Sequence, residues 1–397
     1  MIVVGGSYTE TVLYPELSSQ FVGSGLRAAI TLGGVAEVLL TVASPEEVND
    51  VRAAVASGTS VTARMRDRPV EFRYLDASLR PQVVGLGDGE RPVLDCTFPG
   101  KDVLAFGLAE LPDGYPITAR RVVIDPQAPQ TASRDILDDI DAERVAICAN
   151  RGEARRMTGH DSPVDAARAL LELPNVEAVV IKCGALGYVA ADESSIAWFH
   201  ATPTLRVRTL GSGDVFSSVF AREWFAGVSA EDAAATASSA VASSAGPSTY
   251  PSMRLQPGYS PKVYLAGPFF TLPERWLVER VREVLSGLGA RVFSPIHDVG
   301  PGDIEVAQRD LDALDDCDVV FALLDGFDPG TLYETGWAAR ENIPIVCFAS
   351  EVHTKETKML IGMGAEVHTD LASGIYRAIW AGQGLPLAPG VHPGASA

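Results

Sequence analysis

The feature that most constrains this chain is the repeated alternation of short, wholly apolar runs with segments of helical character. Runs such as RRVVIDP, RVAICAN and AVVIKCG, and later KVYLAG, DVVFALLD and PIVCFA, alternate with amphipathic or Ala-rich segments. A strand that is apolar along its whole length must be buried on both faces, as strands are in parallel sheets covered by helices. The pattern therefore predicts an α/β fold built on parallel sheets.

A stretch rich in Pro, Ser and Gly divides this pattern into two parts. Residues 247–260 lack periodicity, which indicates a linker. We therefore expect a first domain over residues 1–246, a second over residues 261–383, and a disordered tail over residues 384–397. The length of 397 residues is sufficient for two cores. Within the first domain, alternating polar and apolar residues over 60–84 predict a hairpin or small β-flap.

The composition limits the classes of partner. The formal net charge of −19 argues against nucleic-acid polymers, which require clustered Lys and Arg, but not against small phosphorylated ligands held by backbone N–H groups. No apolar run has the length of a membrane span, and the first residues lack the basic segment of a secretory signal. The five cysteines include no CxxC pair, which is typical of a reducing compartment. We expect a cytoplasmic protein that binds small molecules.

A Gly-Ser-Gly turn followed by an acid indicates phosphoryl chemistry in the first domain. In TLGSGDVFSS, the N–H groups of Gly211, Ser212 and Gly213 precede a helix that is expected to start at Asp214. Free N–H groups at a helix N-terminus form an anion hole, and a carboxylate beside it is placed to take a proton from an attacking hydroxyl. The alternative is that Asp214 only caps the helix.

Two further segments accompany this turn. Asn150 and Glu153 form an N-x-x-E arrangement after a buried strand, and VVIKCGALGYVA is a strand with a Gly-rich exit. Together with DPQAPQ, from Asp125, they resemble the ribokinase-like (PfkB) carbohydrate kinase family. The resemblance implies a ribokinase-like doubly wound domain that uses ATP and Mg²⁺, with Asp214 as the base and with Asn150 and Glu153 organising the magnesium–water shell. It places the nucleotide and its phosphates against Asn150, Glu153, Lys182, Gly184, Gly187, Gly211, Ser212 and Gly213.

The sugar-binding part of the first domain departs from the family pattern. GSGLRAAITLG replaces a stretch that usually contains a Gly-Gly pair and an Asn, with Ser24 near the Asn position. An early aspartate that would grip sugar hydroxyls is absent unless Glu10 replaces it. Two alternatives therefore remain: a kinase acting on a sugar or nucleoside hydroxyl, and a degenerate nucleotide-binding module with a regulatory role.

The most informative stretch of the second domain is CDVVFALLDGFDPGTLYETGWAAR. A buried strand is expected to end at Asp325, and a helix to begin near Thr331 after a Gly- and Pro-containing loop. Glu334 follows Thr331 by three residues, so the two match a capping box, which is the structural interpretation. A catalytic carboxylate is the functional one.

Acids and hydroxyls gather at the strand ends of this domain. Tyr264 lies in VYLAGPFF, Asp310 in QRDLDALDDCD, and Asp328 precedes Glu334 by six residues. These segments resemble the nucleoside 2-deoxyribosyltransferase family over Pro261–Trp380. The resemblance implies a smaller flavodoxin-like domain with a parallel five-stranded sheet. It also implies that Glu334 attacks C1′ of the sugar, that Tyr264 orients Glu334, and that Asp310 and Asp328 handle the base and its proton.

These residue types suit cleavage of an N-glycosidic bond. A carboxylate stabilises the oxocarbenium-like state and traps it covalently, while a second, crowded acid stays neutral and protonates the leaving base. We expect Glu334 to lie in the first turn of its helix and to stay ionised there. No metal is required for this step, and the six histidines show no ligand spacing. The substrate is expected to contact Gly267, Phe269, Phe270, His297, Asp325 and Gly330.

Two details refine the expected reaction. The aromatic pair in GPFF favours nucleosides over nucleoside monophosphates, because it suits stacking of a base. Thr357 stands where the family commonly has an Asn from a neighbouring subunit, which favours hydrolysis over transfer, and the resemblance suggests at least a dimer. The sequence predicts a bifunctional nucleoside-salvage enzyme. The alternatives are a nucleoside N-hydrolase regulated by a degenerate kinase half, and a nucleoside-monophosphate N-hydrolase.

Overall fold

The computed structural model describes residues 1–87, 91–127, 137–246, 257–300, 304–352 and 354–392. Most of the predicted linker, residues 247–256, lies outside the described residues, as do the end of the DPQAPQ segment and residues 393–397 of the tail.

The secondary structure alternates between strands and helices in both parts of the chain. The strands of the first part are β1 (Ile2–Val4), β2 (Thr9–Tyr14), β3 (Ser18–Phe21), β4 (Val38–Ala43), β5 (Ser60–Met65), β6 (Glu71–Asp76), β7 (Gln82–Val84), β8 (Cys96–Phe106), β9 (Ile117–Asp125), β10 (Ile140–Asn150), β11 (Val176–Lys182), β12 (Tyr188–Asp192) and β13 (Ile196–Phe199). Its helices are α1 (Gly23–Leu32), α2 (Val48–Ala54), α3 (Arg151–Thr158), α4 (Pro163–Leu171), α5 (Ser212–Phe225) and α6 (Ala230–Ser244). The strands of the second part are β14 (Lys262–Ala266), β15 (Arg291–Phe293), β16 (Val319–Leu323), β17 (Ile345–Phe348), β18 (Glu366–His368) and β19 (Gly390–His392). Its helices are α7 (Leu272–Leu288), α8 (Pro295–Asp298), α9 (Ile304–Asp315), α10 (Pro329–Arg340), α11 (Thr354–Gly362) and α12 (Leu371–Gly382).

A nine-stranded sheet forms the centre of the first part. Its order is β13-β12-β11-β10-β9-β8-β1-β4-β5, and its strands pair in parallel except for β12 and β13 at one edge. Helices α1, α2, α5 and α6 contribute buried side chains to one apolar cluster, and α3 and α4 contribute to another. The apolar strands are therefore covered on both faces, as the sequence predicted.

A separate four-stranded sheet, in the order β3-β2-β6-β7, forms the flap. The prediction of a hairpin or flap over residues 60–84 is correct for β6 and β7 but wrong for β5. Strand β5 pairs in parallel with β4 at the edge of the main sheet. The difference arises because an edge strand has one solvent-facing side and therefore alternates in polarity as a flap strand does.

The second part is built on a parallel sheet in the order β15-β14-β16-β17-β18-β19. The first five of these strands, counted along the chain, are the five that the sequence predicted, and their order is that of flavodoxin-like folds. The sixth strand, β19, comes from the tail.

The tail is ordered as far as residue 392, so the prediction of disorder from Gly384 is wrong for residues 384–392. Glu366 and Arg377 form a fully buried ion pair, and each needs further partners. The backbone N–H of Ala388 donates to Glu366 Oε2 (2.8 Å), and Arg377 Nη2 donates to the carbonyl of Pro386 (3.1 Å). The composition of the tail does not reveal these contacts, because they are made by its backbone.

The two parts of the chain pack directly against each other. One apolar cluster contains buried residues from both, including Leu186 and Trp380. The indole of Trp380 donates to the carbonyl of Ala185 (2.8 Å), and the hydroxyl of Ser373 accepts from the backbone N–H of Val207 (3.0 Å). Helix α12 therefore provides much of the contact surface of the second part.

Within the described part of the chain, no helix combines the length and the apolar character needed to cross a membrane.

Candidate active sites

The Gly-Ser-Gly turn leads into a helix whose first turn carries Asp214. Helix α5 begins at Ser212 rather than at the predicted Asp214, because Gly211 is the N-cap residue, with a φ of 75° that favours glycine. The carboxylate of Asp214 does not cap the helix. Its Oδ2 accepts a hydrogen bond from Arg27 Nη1 (2.5 Å), and its Oδ1 accepts one from the side-chain amide of Gln127. The interpretation of Asp214 as a helix cap is therefore wrong.

Arg27 is a site residue that the sequence analysis missed. Its Nη2 donates to Glu10 Oε2 (2.5 Å), so its guanidinium joins Glu10 to Asp214. A Cβ atom placed on Gly211 would lie 2.3 Å from Nε of Arg27, so only glycine leaves room for this side chain. Burial raises the pKa of Glu10, although Arg27 opposes the rise. No motif marked Arg27, because α1 is the stretch that departs from the family pattern.

A cavity of about 390 Å³, called here the acceptor cavity, opens beside this cluster, next to the carboxylate that was predicted to take a proton from an attacking hydroxyl. Its lining includes Glu10, Arg27, Gly211 and Ser212 from the first part and Thr369 and Asp370 from the second. Glu10, the residue considered as a replacement for the absent aspartate, therefore lines this cavity. Ser24 is buried, and its hydroxyl has no hydrogen-bond partner among the residues that the structure describes.

Lys182 lies on the other side of the Gly-Ser-Gly turn. Its Nζ donates to Asp125 Oδ2 (2.5 Å) and to Ser217 Oγ (3.2 Å), and a Cβ atom on Gly213 would lie 3.5 Å from it. Burial lowers the pKa of Lys182, but the neighbouring carboxylates outweigh burial and raise it, so the ammonium group stays charged. The N–H groups at the start of α5 thus have a cation on each side, Arg27 and Lys182.

Asn150 and Glu153 form a capping box at the start of α3. Asn150 Oδ1 accepts from the backbone N–H of Glu153 (2.9 Å), and Glu153 Oε2 accepts from the backbone N–H of Asn150 (2.7 Å). Glu153 is also buried, and burial together with Asp125 raises its pKa to about 7. A cation nearby would restore its charge, so the residues fit a water-mediated Mg²⁺ site. In the described residues, no group of three or more His, Cys, Asp or Glu side chains could hold a metal ion.

A second cavity, of about 440 Å³, collects most of the residues predicted to contact nucleotide. Its lining includes Asn150, Glu153, Lys182, Gly184, Gly187, Ser212 and Gly213. The segment between Gly184 and Gly187 forms a tight turn, and both of these glycines have positive φ values, of 57° and 99°. Of the predicted set, Gly211 lines the acceptor cavity instead.

The second part of the chain brings Glu334 and Tyr264 together. Tyr264 is fully buried in β14, and its hydroxyl donates to Glu334 Oε1 (2.7 Å). Helix α10 begins at Pro329 rather than near Thr331, and its N-cap is Asp328, whose Oδ2 accepts from the backbone N–H of Thr331 (2.8 Å). Glu334 therefore lies in the second turn, not the first, and the capping-box interpretation of Thr331 and Glu334 is wrong.

The pKa of Glu334 is raised to about 7. Burial is the largest cause and the charges of Asp310 and Asp328 add to it, whereas the hydrogen bond from Tyr264 lowers the pKa. The predicted position in the first turn, where the helix N-terminus would help to keep Glu334 ionised, is wrong, because the favourable helix field fades beyond that turn. Burial also raises the pKa of Asp310, and its buried Oδ1 has no hydrogen-bond partner in the described part of the chain.

The other residues predicted to contact the substrate include an aromatic pair and a histidine. Phe269 and Phe270 form a ring pair at 5.3 Å, and Phe270 is exposed. His297 lies between Ser294 and Glu279, with its Nε2 2.7 Å from Glu279 Oε1.

Two glycines and one acid contact other residues of the second part. A Cβ atom on Gly330 would lie 3.0 Å from Asp328, and one on Gly267 would lie 3.1 Å from Leu323. Asp325 accepts hydrogen bonds from the N–H and hydroxyl of Ser350, which joins two loops.

Two further residues bear on this site. Phe293 was not predicted; it stacks on Tyr264 with ring centroids 5.3 Å apart and so fixes the phenol. The sequence offered only its position at the end of β15. Thr357, which was considered as a counterpart of a neighbouring subunit's Asn, is buried in α11.

The molecule thus consists of two α/β units, each with a candidate active site around residues that follow its parallel strands. The model of the pfkB family carbohydrate kinases matches residues 117–252, and that of the nucleoside 2-deoxyribosyltransferases matches residues 263–371. The chain therefore combines a region that is similar to the first family with a region that is similar to the second. The kinase match begins after the stretch in which the sequence departs from the family pattern.

Several solved structures are similar to the first part of the chain. A ribokinase from Thermotoga maritima is 18% identical, with coverage of 61% of this chain and 91% of that chain and a TM-score of 0.46. The Arabidopsis thaliana ribokinase, solved with ribose and ATP, is 16% identical, with coverage of 61% and 90% and a TM-score of 0.44. The tetrameric inhibited form of Escherichia coli phosphofructokinase-2 is 14% identical, with coverage of 62% and 94% and a TM-score of 0.45. No curated protein matches the chain.

The family matches and the sheet orders confirm the predicted fold class. A ribokinase-like α/β domain is followed by a smaller flavodoxin-like one, which has six strands rather than five.

Proposed function

We propose that this protein is a bifunctional enzyme of the nucleoside-salvage type. The second domain cleaves or exchanges the N-glycosidic bond of a nucleoside or deoxynucleoside through a covalent glycosyl intermediate on Glu334. The first domain transfers phosphate from ATP to a sugar or nucleoside hydroxyl. The observation that carries the proposed glycosyl transfer is the hydrogen bond of 2.7 Å from the hydroxyl of Tyr264 to Glu334. The Glu334 carboxylate is not used to cap its own helix.

The proposed glycosyl transfer proceeds in two steps. In the first, a carboxylate oxygen of Glu334 bonds to C1′ as the N-glycosidic bond breaks, and Asp310 gives its proton to the leaving base. In the second, water or another base attacks C1′, the ester bond to Glu334 breaks, and Asp310 takes back the proton of the nucleophile. Two features support these roles: Tyr264 holds one Glu334 oxygen in place, and the buried, unbonded Oδ1 of Asp310 favours its neutral form.

The proposed substrate class rests on the aromatic pair that follows β14. The paired rings of Phe269 and Phe270 supply flat apolar surface suited to a nucleobase, which supports nucleosides as substrates over nucleoside monophosphates. Hydrolysis is proposed to be favoured over transfer to a second base. Thr357 is buried and stands where the family commonly has an Asn that completes the active site of a neighbouring subunit.

The proposed kinase reaction uses the N-terminus of α5 as the anion hole. Asp214 accepts the proton of the attacking hydroxyl, which replaces Arg27 or Gln127 as its partner. Lys182 and Arg27 flank the transferred phosphoryl group and balance its charge. Mg²⁺ supplies charge neutralisation on the ATP phosphates, and Asn150 and Glu153 would hold its water shell.

The second candidate function is regulatory: a kinase half that binds nucleotide without transferring phosphate. The observation that favours it is the double engagement of Asp214, whose two oxygens are both occupied by Arg27 and Gln127. In this case the first domain would sense nucleotide and control an N-glycoside hydrolase.

A single panel separates these proposals. Nucleosides, deoxynucleosides and their 5′-monophosphates are incubated with the protein, with and without ATP and Mg²⁺, and free base and ADP are measured. Glycosyl transfer predicts base release and a sugar adduct on the peptide containing Glu334. An active kinase predicts ADP formation that depends on an acceptor and vanishes in Asp214→Asn, whereas the regulatory alternative predicts ATP binding without ADP formation.

We also propose that the protein is cytoplasmic and forms at least a dimer through the second domain. Several large apolar side chains of that domain are exposed, among them Phe270, Leu272, Tyr333 and Met359. The resemblance of the second domain to its family supports association through that domain. Light scattering of the full chain tests the association, and a monomer at micromolar concentration would contradict it.

A further inference from the structure

The cavity predicted to receive the phosphate donor is lined by both domains. Leu288 at the end of α7, and Tyr376 and Trp380 in α12, line it together with Lys182 and Gly213 of the first domain. The family resemblance of the first domain assigns no role to these second-domain residues. The kinase cavity is therefore incomplete if the first domain is considered alone.

The cavity contains two chemically different surfaces. The start of α5 and Lys182 present N–H groups and an ammonium group, which suit phosphates. A second group of lining residues is aromatic or aliphatic, with Tyr188 and Phe216 from the first domain and Leu288 and Tyr376 from the second. A ligand that satisfies both surfaces carries phosphates at one end and a flat, largely apolar group at the other, as a nucleoside triphosphate does.

The phenol of Tyr376 is available for such a ligand. Tyr376 is partly exposed, and its hydroxyl makes no hydrogen bond to any residue that the structure describes. It lies close to the Gly-rich turn, because a Cβ atom on Gly184 would be 3.0 Å from it. A polar group in an apolar wall that lacks a partner gains from a ligand that supplies one, and the edge of a nucleobase does so.

This wall is held in place by specific contacts. The indole of Trp380 is buried, donates to the carbonyl of Ala185 (2.8 Å) and meets the Tyr376 ring edge-on at 5.7 Å. A Cβ atom on Gly184 would lie 2.5 Å from Leu288, so the two domains meet at van der Waals contact at this point. The wall is therefore present before any ligand binds.

We propose that helix α12 of the second domain supplies the nucleobase-binding wall of the phosphate-donor site, with Tyr376 in contact with the base of a nucleoside triphosphate. This inference rests on the proposed kinase function and adds that donor recognition belongs to both domains. The donor is thereby a nucleotide, since pyrophosphate has no group that would contact the wall.

Calorimetric titration of the full chain with MgATP and with inorganic tripolyphosphate tests the proposal, because tripolyphosphate has the phosphates without the base. In Tyr376→Ala, we expect ATP to bind about tenfold more weakly, as loss of one base–aromatic contact does, and tripolyphosphate to bind within twofold of the unaltered protein. Tyr376→Phe should cause a smaller loss that is again confined to ATP, because only the hydroxyl is removed. Trp276→Ala, which removes an exposed aromatic of the same domain, should change neither.

Four outcomes would overturn the proposal, and only the last of them also removes the kinase function. Unchanged ATP affinity in Tyr376→Ala, or equal losses for ATP and tripolyphosphate, would show that the wall does not recognise the base, with the kinase proposal intact. ATP binding no tighter than tripolyphosphate in the unaltered protein would do the same. Binding of neither ligand would remove the proposed kinase function as well. Thermal unfolding checks that each variant is folded, and Leu288→Ala, which opens the same wall, provides a second variant if Tyr376→Ala is unstable.

Discussion

Two four-residue patterns in this chain look alike and have opposite outcomes. Asn150 to Glu153 and Thr331 to Glu334 each place a glutamate three residues after a residue able to cap a helix. The first pair forms a complete capping box at α3, whereas in the second the cap is Asp328 and Glu334 bonds to Tyr264 instead. Burial raises the pKa of both glutamates to about 7. The difference lies in which residue caps each helix: because Asp328 caps α10, the Glu334 carboxylate is available to accept a hydrogen bond from Tyr264.

The largest effect on activity is expected for Glu334, whose carboxylate does not cap a helix. Glu334→Gln should lower base release by about 10⁴-fold or more, because the nucleophile is lost while its shape is kept. Base release from a nucleoside, followed by chromatography, measures this. Glu341→Gln, on the surface at the end of α10, is the matched control and should be unaffected. A Glu334→Gln rate close to that of the unaltered protein would remove the functional difference between the two patterns.

The Asp214 site should respond independently of Glu334. Asp214→Asn should lower acceptor-dependent ADP formation by about 10³-fold, because a general base is lost, while base release stays unchanged. Coupled ADP assays and base-release assays on the same preparation measure both. ADP formation that persists at the original rate would contradict the assignment of Asp214 as base.

The hydroxyl of Tyr264 is expected to influence the pKa of Glu334. The hydrogen bond from Tyr264 lowers the pKa of Glu334, so Tyr264→Phe should raise it, by about one unit for a bond of ordinary strength. Because the ionised carboxylate is the proposed nucleophile, the acid limb of the pH–rate profile should move to higher pH, with about a fivefold loss of rate at pH 7 and about a tenfold loss well below it. An acid limb that does not move would show that Tyr264 has only a packing role.

The smallest effects are expected for the glutamate of the capping box. Glu153→Ala should cost about 1 kcal/mol of folding free energy, as the loss of a cap does, whereas Glu153→Gln retains the box. The native pKa of Glu153, about 7, lies above its ordinary value of 4.5. Its ionisation therefore opposes folding, and this carboxyl lowers stability as the pH rises from about 4.5 to about 7.

Denaturant unfolding at a series of pH values measures this dependence. Glu153→Gln should lose stability less steeply than the unaltered protein over that interval, and should need more Mg²⁺ for ADP formation if the carboxylate holds the magnesium–water shell. Identical pH dependence in the two proteins would show that folding does not raise the pKa of Glu153.

Much of the fold was readable from local patterns. The wholly apolar runs predicted buried strands, and the five expected strands of the second sheet are present. The sequence did not reveal which segments form the edge strands of the two sheets. Strand β5 resembles a flap strand but joins the main sheet, and β19 comes from a Pro- and Gly-rich tail. Edge strands and backbone-mediated contacts leave weak signals because their side chains are only partly buried.

The candidate sites divide in the same way. Glu334, Tyr264, Asp310 and Asp328 were identified from motifs, and the structure brings them together. Arg27 was not identified, because it lies in a stretch without a motif and becomes relevant only where α1 meets α5.

The sequence by itself determined the two α/β units, their order, and the acids and glycines available for chemistry, because periodicity and short motifs are local properties of a chain. The tertiary structure decided which glutamate caps a helix and which meets a phenol, how Arg27 pairs with Glu10 and Asp214, and that α12 closes the cavity of the other domain. Those outcomes depend on side chains far apart in sequence competing for the same partners, and only the packed fold sets their distances.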